Sequence, residues 1–377
     1  MSISLTSDSA GVVKLPRRVL IRTDASLEIG SGHVMRCLSL ADALRVNGVH
    51  CQFMCREHPG NLIALIRARG FAVQALPTGA AGGDGSTAHA AWLGASVRED
   101  IKACLPILRN WLPDWLLVDH YALEATWEAA IRPYCQRLLV IDDLADRRHV
   151  CDLLLDQNLG RRAGDYFGLV PPSCRLLIGS EFALLRTEFA TWREESLRRR
   201  RSASLQRLLI TLGGGDKDNW TRAVLQSLKH SSLPQNCVID VVLGTQSPWL
   251  EDVCANAREL PWTVMVEKGV DDMARRMALA DLAIGAAGGS SWERCCLGVP
   301  TLLLVIAANQ YPAASALQEA GAALLLPSSE LSHALPESLA LLQREPWRLE
   351  QMSLQAAGVC SGAGVSFLVK ELLEALT

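Results

Sequence analysis

The chain has 377 residues, a length that predicts two domains rather than one small module. Hydrophobic residues make up 49% and charged residues 20%, which supplies apolar material for a core in each domain and excludes wholesale disorder. Thirty-seven Lys and Arg against 40 Asp and Glu leave a net charge of −3. No global field therefore draws the chain to nucleic acid or anionic lipid, and a phosphate site would have to be local.

Residues 1–16 read as a disordered or extended N-terminus without the apolar stretch of a signal peptide. From Arg17 onward short apolar runs alternate with helical patterns. Strands are expected over Arg18–Thr23, Val49–Cys55, Ala72–Leu76, Trp115–His120 and Arg137–Asp142, with helices over Val34–Asn47, Leu62–Arg69, Val97–Asn110 and Glu124–Arg132 between them. The Gly/Ala-rich stretch Thr78–Ala91 reads as a surface loop. The basic run Arg198–Arg201 has no interleaved aromatics and reads as a solvated linker, which places the domain break there, with domains over 17–200 and 201–377. Beyond it the same grammar returns, with strands at Leu208–Leu212, Val238–Leu243, Thr263–Val266, Leu282–Ile284 and Thr301–Leu304 separated by helical patterns. This alternation predicts two Rossmann-like α/β halves, each a parallel sheet covered on both faces, with a cleft between them. The longest apolar run, Val299–Ala308, contains Pro300 and is far short of a membrane span, so no membrane insertion is expected.

The 12 cysteines lack the recurring pairs of a metal site: Cys51 and Cys55 have no matching second pair, and Cys295 and Cys296 are adjacent. They read as reduced thiols, mostly in apolar or amphipathic segments.

Three glycine-rich turns each follow an expected strand and precede a helix: Gly30-Ser31-Gly32-His33, Gly213-Gly214-Gly215-Asp216, and Gly285 through Gly288, Gly289, Ser290 and Ser291. Such turns let backbone N–H groups approach a phosphate. None fits the P-loop or the full dinucleotide fingerprint, and a nucleoside diphosphate held across the cleft fits better. His33 stands at a helix start on the carboxyl edge of the first sheet, where open α/β sheets bind ligands. There it serves either as a general base or as a residue that caps and packs the helix. Asp119, His120, Tyr121, Asp142 and Asp143 end two further strands of that sheet; Asp119 or Asp142 would orient His33 or bind sugar hydroxyls, or else cap the turns that follow. Adjacent carboxylates on an extended chain point opposite ways, so Asp142 and Asp143 would share a cation only in a special turn. In the second half, Glu293 in the first turn of a helix either satisfies the helix dipole or accepts both hydroxyls of a ribose. Asn309 and Gln310 follow a strand as a polar step that either caps a helix or holds a sugar or phosphate. His58, His89, His149, His230 and His333 lack any such setting and read as surface or loop residues.

The segments IRTDASLEIGSGHVMRCLSLADAL (Ile21–Leu44), LLVDHYALEATWE (Leu116–Glu128), VIDDLADRRHVCDLLLDQN (Val140–Asn158) and GAAGGSSWERCCLGVPTLLLVIAANQ (Gly285–Gln310) resemble one known family. It is the UDP-2,4-diacetamido-2,4,6-trideoxy-β-L-altropyranose hydrolases of pseudaminic acid biosynthesis, PseG. The Gly-x-Gly-His and GGSSWERCCLGVP blocks are also similar to the wider superfamily of the MurG transferase. The departures are a longer N-terminus, the glycines near Gly82–Ser86 and the arginine run. The resemblance implies the two-domain GT-B fold and a UDP-sugar substrate, while the reduced thiols point to a cytoplasmic enzyme and the residues call for no cofactor or metal. It implies that His33 is the base that activates water against the anomeric carbon with UDP leaving. Tyr121 matches a substrate-side position, Glu293 the ribose-binding carboxylate, and Asn309 and Gln310 contacts to the sugar or diphosphate. With one base and no second nucleophile, direct displacement with inversion is expected. The rival readings are a MurG-like UDP-sugar glycosyltransferase and a non-catalytic nucleotide-sugar binding protein.

Overall fold

The computed structural model describes residues 17–79, 89–201, 204–214 and 216–375; the N-terminal segment 1–16, the glycines near Gly82–Ser86 and Gly215 lie outside the described residues. The first half runs β1 (Arg18–Thr23), α1 (Gly32–Val46), β2 (His50–Arg56), α2 (Ile63–Ala68), β3 (Ala72–Leu76), α3 (Val97–Trp111), β4 (Trp115–Asp119), α4 (Ala125–Ile131), β5 (Arg137–Ile141), β6 (Leu153–Asp156), β7 (Arg175–Ile178) and α5 (Thr187–Arg199). The second runs β8 (Arg207–Thr211), α6 (Trp220–Leu228), β9 (Val238–Leu243), α7 (Leu250–Ala257), β10 (Thr263–Lys268), α8 (Met273–Leu279), β11 (Leu282–Ala286), α9 (Ser290–Cys296), β12 (Thr301–Leu304), α10 (Tyr311–Glu319), β13 (Ala323–Leu326), α11 (Leu331–Arg344), α12 (Trp347–Val359) and α13 (Gly364–Glu374).

Two parallel sheets result, of seven strands in the order β3-β2-β1-β4-β5-β6-β7 and six in the order β10-β9-β8-β11-β12-β13. The inner strands of each sheet are buried on both faces because they are apolar on both of their alternating sides, whereas the edge strands β3 and β10 are largely exposed. In β1, Val19 and Ile21 face a cluster with Leu40 and Leu44 of α1, while Leu20 faces the opposite cluster with Leu108 of α3 and Trp127 of α4. In the second sheet Leu208 and Ile210 face α6 and α11, while Leu209 meets Phe189 of α5 and Met277 of α8.

Packing does not change partners at the expected boundary of 200/201. Helix α5 packs on the second sheet: Phe189 is fully buried there, and Arg193 donates to the carbonyls of Ala357 and Cys360 at 2.7 and 2.9 Å. Conversely α13 returns to the first half, where Val365, Leu368 and Leu372 join the core around α1 and Trp115 Nε1 donates to the Leu372 carbonyl at 3.1 Å. The arginine run is likewise not wholly solvated. Arg200 is buried and caps α8, donating to the carbonyls of Met277, Ala278 and Ala280 at 2.6–3.1 Å. Those carbonyls end a helix and have no intrahelical donor, so the cation takes the place of a cap. The stretch Trp347–Glu374 is long and apolar enough by composition to cross a membrane, but it is α12 and α13 joined by a turn, each sinking one face into a core.

In both sheets the order of connection reverses at the centre, between β1 and β4 and between β8 and β11. An open parallel sheet has a crevice at its carboxyl edge at such a point.

Candidate functional site

At the first crevice, register pairs Thr23 with Asp119, so the ends of β1 and β4 lie side by side. After β1, Ser26 Oγ accepts the Glu28 and Ile29 amides, and Gly30 takes φ of +79°, a conformation glycine adopts without a Cβ penalty. This turn starts α1 at Gly32, which is exposed, and sets His33 in the first helical turn over the crevice. His33 Nδ1 lies 2.6 Å from Asp119 Oδ1. Burial acts to raise the Asp119 carboxyl, but Arg36 and His33 outweigh it and hold the group well below the ordinary carboxylate range. An ionised carboxylate only accepts, so in the neutral imidazole the proton sits on Nδ1 and the lone pair on Nε2. The lone pair of Nε2 then has no hydrogen-bonding partner among the described residues. It is thus Asp119, not Asp142, that orients His33.

Arg36 makes two bonds to Asp119, Nε to Oδ2 at 2.7 Å and Nη2 to Oδ1 at 2.6 Å, and its Nη1 lies 2.7 Å from Asp143 Oδ2. Tyr121 donates its hydroxyl to the same Asp143 oxygen at 2.7 Å and stands edge-on to His33, at 86° and 4.6 Å. His89 and Trp92 extend this wall, with ring centroids 5.3 and 5.7 Å from Tyr121. Asp142 turns the other way, to Arg147, Tyr166 and the Ala145 amide, so the two adjacent carboxylates share no ligand geometry. Among the described residues no group of three His, Cys, Asp or Glu side chains converges as a metal site would.

Beside the dyad, Asp24 accepts Arg22 Nη1 at 2.7 Å and the Arg56 amide at 2.6 Å, and lies 3.2 Å from His120 Nε2 and 3.6 Å from His58 Nε2. His120 Nδ1 accepts the Ala122 amide, which leaves its proton on Nε2 facing Asp24. Burial alone would raise the Asp24 carboxyl, yet Arg22 and the two histidines keep it well below its usual value. His58 is therefore not a surface residue, and neither is His149, whose Nδ1 meets the buried Glu128 at 2.6 Å; His89 lies half-buried in a turn, as a loop residue would.

The second crevice is built differently. Gly213 takes φ of +92° after β8, and a Cβ on Gly214 would fall 2.8 Å from Ser31 Oγ of the first half, so the two glycine turns meet across the cleft. After β11, Gly288 is half-buried, Gly289 is exposed and Ser290 begins α9. Beneath this turn lies Arg294, only 1% exposed and without a carboxylate at ion-pair distance among the described residues. It donates to the hydroxyls of Ser290 and Ser291 at 3.1 and 3.0 Å and to the Ala286 carbonyl at 2.8 Å, and burial lowers its guanidinium to about 10. A Cβ on Gly285 would lie 2.5 Å from Arg294 Nη1, so that glycine makes room for the cation. The Glu293 carboxyl is pushed up to about 7 by burial, with Arg186 3.9 Å away acting against the shift. Asn309 is exposed; Gln310 Oε1 accepts the Ile306 amide at 3.2 Å, and its Nε2 would stand 3.9 Å from a Cβ on Gly288.

Sequence reasoning grouped His33 with Asp119 and Tyr121 but missed Arg36, Asp143 in its bonded role, Trp92, His89 and Arg294. For Arg36 a signal existed: three residues after His33 on a helix, it shares that face. Trp92 and His89 reach the site through a short 3₁₀ turn over Ala90–Leu93, and only the tertiary fold brings them there.

Residues 208–365 match the glycosyltransferase family 28 C-terminal domain. The chain is 27% identical over 292 residues to an uncharacterized protein of Methanocaldococcus jannaschii, covering 76% of this chain and 55%, about half, of that protein's length. It is 26% identical over 234 residues to the UDP-2,4-diacetamido-2,4,6-trideoxy-β-L-altropyranose hydrolase of Campylobacter jejuni, covering 62% of this chain and 72% of that one. The crystal structure of Acinetobacter baumannii MurG superposes with a TM-score of 0.69 at 17% identity, over 95% of this chain and all of that one. The fold is thus the MurG-like, two-domain GT-B fold.

Proposed function

We propose that this chain is a UDP-sugar hydrolase that converts UDP-2,4-diacetamido-2,4,6-trideoxy-β-L-altropyranose to UDP and 2,4-diacetamido-2,4,6-trideoxy-L-altrose. The observation that carries the reading is the His33–Asp119 pair at the first crevice, its Nε2 unbonded, opposite a glycine-lined crevice in the other half. A similarity to a hydrolase of that name supports the choice of substrate. Water held at His33 Nε2 loses a proton to the imidazole as its oxygen bonds to the anomeric carbon. The bond from that carbon to the diphosphate oxygen breaks with its electron pair, and UDP departs. Asp119 stabilises the imidazolium that forms, and one displacement inverts the anomeric centre. Backbone N–H groups around Gly32, Gly214, Gly288 and Gly289, with the Ser290 hydroxyl, receive the charge on the leaving diphosphate. Glu293 accepts the ribose hydroxyls, while Tyr121, Asn309 and Gln310 contact the sugar or diphosphate.

The match to a glycosyltransferase C-terminal domain favours one second reading, in which an acceptor hydroxyl takes the place of water at the same base. UDP release from the purified chain, with no acceptor added, decides between them. Hydrolysis predicts equimolar UDP and free sugar of inverted configuration by NMR, and turnover only on addition of an acceptor overturns it. His33→Ala is expected to abolish turnover while UDP affinity stays within a few-fold; unchanged turnover would remove His33 from the mechanism.

A further inference from the structure

We propose that Arg36 is the positioning residue of this site: it fixes the Asp119 carboxylate so that His33 keeps its proton on Nδ1, and it couples that setting to Tyr121 through Asp143. The inference rests on the reading of His33 as the base.

Arg36 is 9% exposed and lies one turn after His33 in α1, so both side chains leave the helix on the same face. All three of its nitrogens are engaged. Nε and Nη2 grip the two oxygens of Asp119 at 2.7 and 2.6 Å in the fork-on-fork geometry that fixes a carboxylate's plane. Oδ1 then receives both Arg36 Nη2 and His33 Nδ1, and Oδ2 receives Arg36 Nε and the Cys37 thiol at 3.4 Å. A carboxylate loaded in this way cannot turn without breaking several bonds, and it offers the imidazole only an acceptor. Arg36 Nη2 also lies 3.3 Å from His33 Nδ1, which is the separation of two donors converging on one oxygen. The proton of a neutral His33 is thereby confined to Nδ1 and the lone pair to Nε2.

The third arm gives the arrangement its reach. Arg36 Nη1 meets Asp143 Oδ2 at 2.7 Å, the same oxygen that accepts the Tyr121 hydroxyl. One guanidinium thus spaces the carboxylate behind the base and the carboxylate behind the tyrosine. A lysine supplies a single point of positive charge and cannot span both. Around the imidazole the titratable and charged groups are Asp119, Arg36, Tyr121, His89 and His120. Without Arg36, Asp119 loses the fork that fixes its plane, and the oxygen that receives the Nδ1 proton is no longer held against the ring.

The test is a two-bond ¹H–¹⁵N spectrum of the full chain labelled at histidine nitrogen, with His33→Gln used to assign the signal. The wild type is expected to show His33 as the Nδ1–H tautomer. Arg36→Met is expected to give mixed tautomers, with kcat lowered about tenfold or more and KM within a few-fold. Arg36→Lys restores part of the wild-type pattern. Asp143→Asn, which removes no contact to His33, lowers kcat in the same direction by less. A folded Arg36→Met protein with the wild-type tautomer and wild-type kcat overturns the proposal. If Arg36→Met fails to fold, an unchanged spectrum and kcat in both Arg36→Lys and Asp143→Asn overturn it instead. If the wild type releases no UDP from the nucleotide sugar, the functional reading fails by itself, and the tautomer spectra still decide the role of Arg36.

Discussion

The two halves share a topology and differ in what they place at its centre. Each reverses strand order at a central crevice, but the first crevice is filled with bonded side chains, His33, Asp119, Arg36, Asp143 and Tyr121. The second presents Gly213, Gly214, Gly288, Gly289 and small hydroxyls over a buried cation, Arg294. On the proposed function, the difference follows from the work each half would do. Moving a proton needs a group held in one protonation state, which takes charge, burial and several bonds. Holding a diphosphate needs close approach of backbone and little side chain, which only glycine allows.

The largest effect that would break this contrast lies in the first half. Asp119→Asn keeps the shape but lets the imidazole proton sit on either nitrogen, and kcat is expected to fall about 10²–10⁴-fold while UDP affinity holds within a few-fold. Steady-state kinetics with a parallel UDP titration by calorimetry checks this. A variant that loses UDP binding and turnover together would mean that the first half also holds the nucleotide, and the division of labour would be gone.

The contrast also governs what the sequence could disclose. Strand and helix alternation is written in local periodicity, so the doubly covered parallel sheets were legible, and polar residues at strand ends marked the crevice. The exchange of α5 and α13 between halves was not legible, because Phe189 and Leu368 look alike in sequence and only packing selects the sheet each one covers. Arg200 and Arg294 were hidden for a related reason. An arginine in a basic run reads as solvated, and the carbonyls that bury Arg200 come from α8, which only the fold brings to it, while Arg294 meets hydroxyls one turn back on its own helix and its burial is set by the packing around α9. By contrast Asp119 was found, since its place at a strand end is a local fact.

A smaller effect sharpens the second half. Arg294 donates to Ser290 Oγ, which leaves that hydroxyl's own proton free for an outside acceptor. A phosphate seated there would also answer a buried cation that no carboxylate pairs among the described residues. Arg294→Met is therefore expected to weaken UDP about tenfold while uridine, which lacks phosphate, changes little. Arg294→Lys, which keeps the charge, should fall between. Equal losses for UDP and uridine would make Arg294 a packing residue only.

The mildest prediction uses pH to separate the halves. The Glu293 carboxyl is pushed up to about 7 by burial, so it is ionised above that pH and protonated below. If its two oxygens accept both ribose hydroxyls, binding needs the ionised form, and affinity must fall as pH falls through 7. Uridine is the suitable ligand, because it carries no phosphate that titrates in this range. Its affinity is expected to drop about tenfold between pH 8 and pH 6, following the ionised fraction of one carboxyl. Glu293→Gln should bind more weakly at pH 8 and show no such slope, whereas His33→Ala, whose change lies across the cleft, should keep it. A flat wild-type titration would mean that Glu293 serves its helix rather than the ligand. A slope lost in His33→Ala would place the titrating group in the first half, and the separation of proton chemistry from nucleotide binding would then fail at its weakest point.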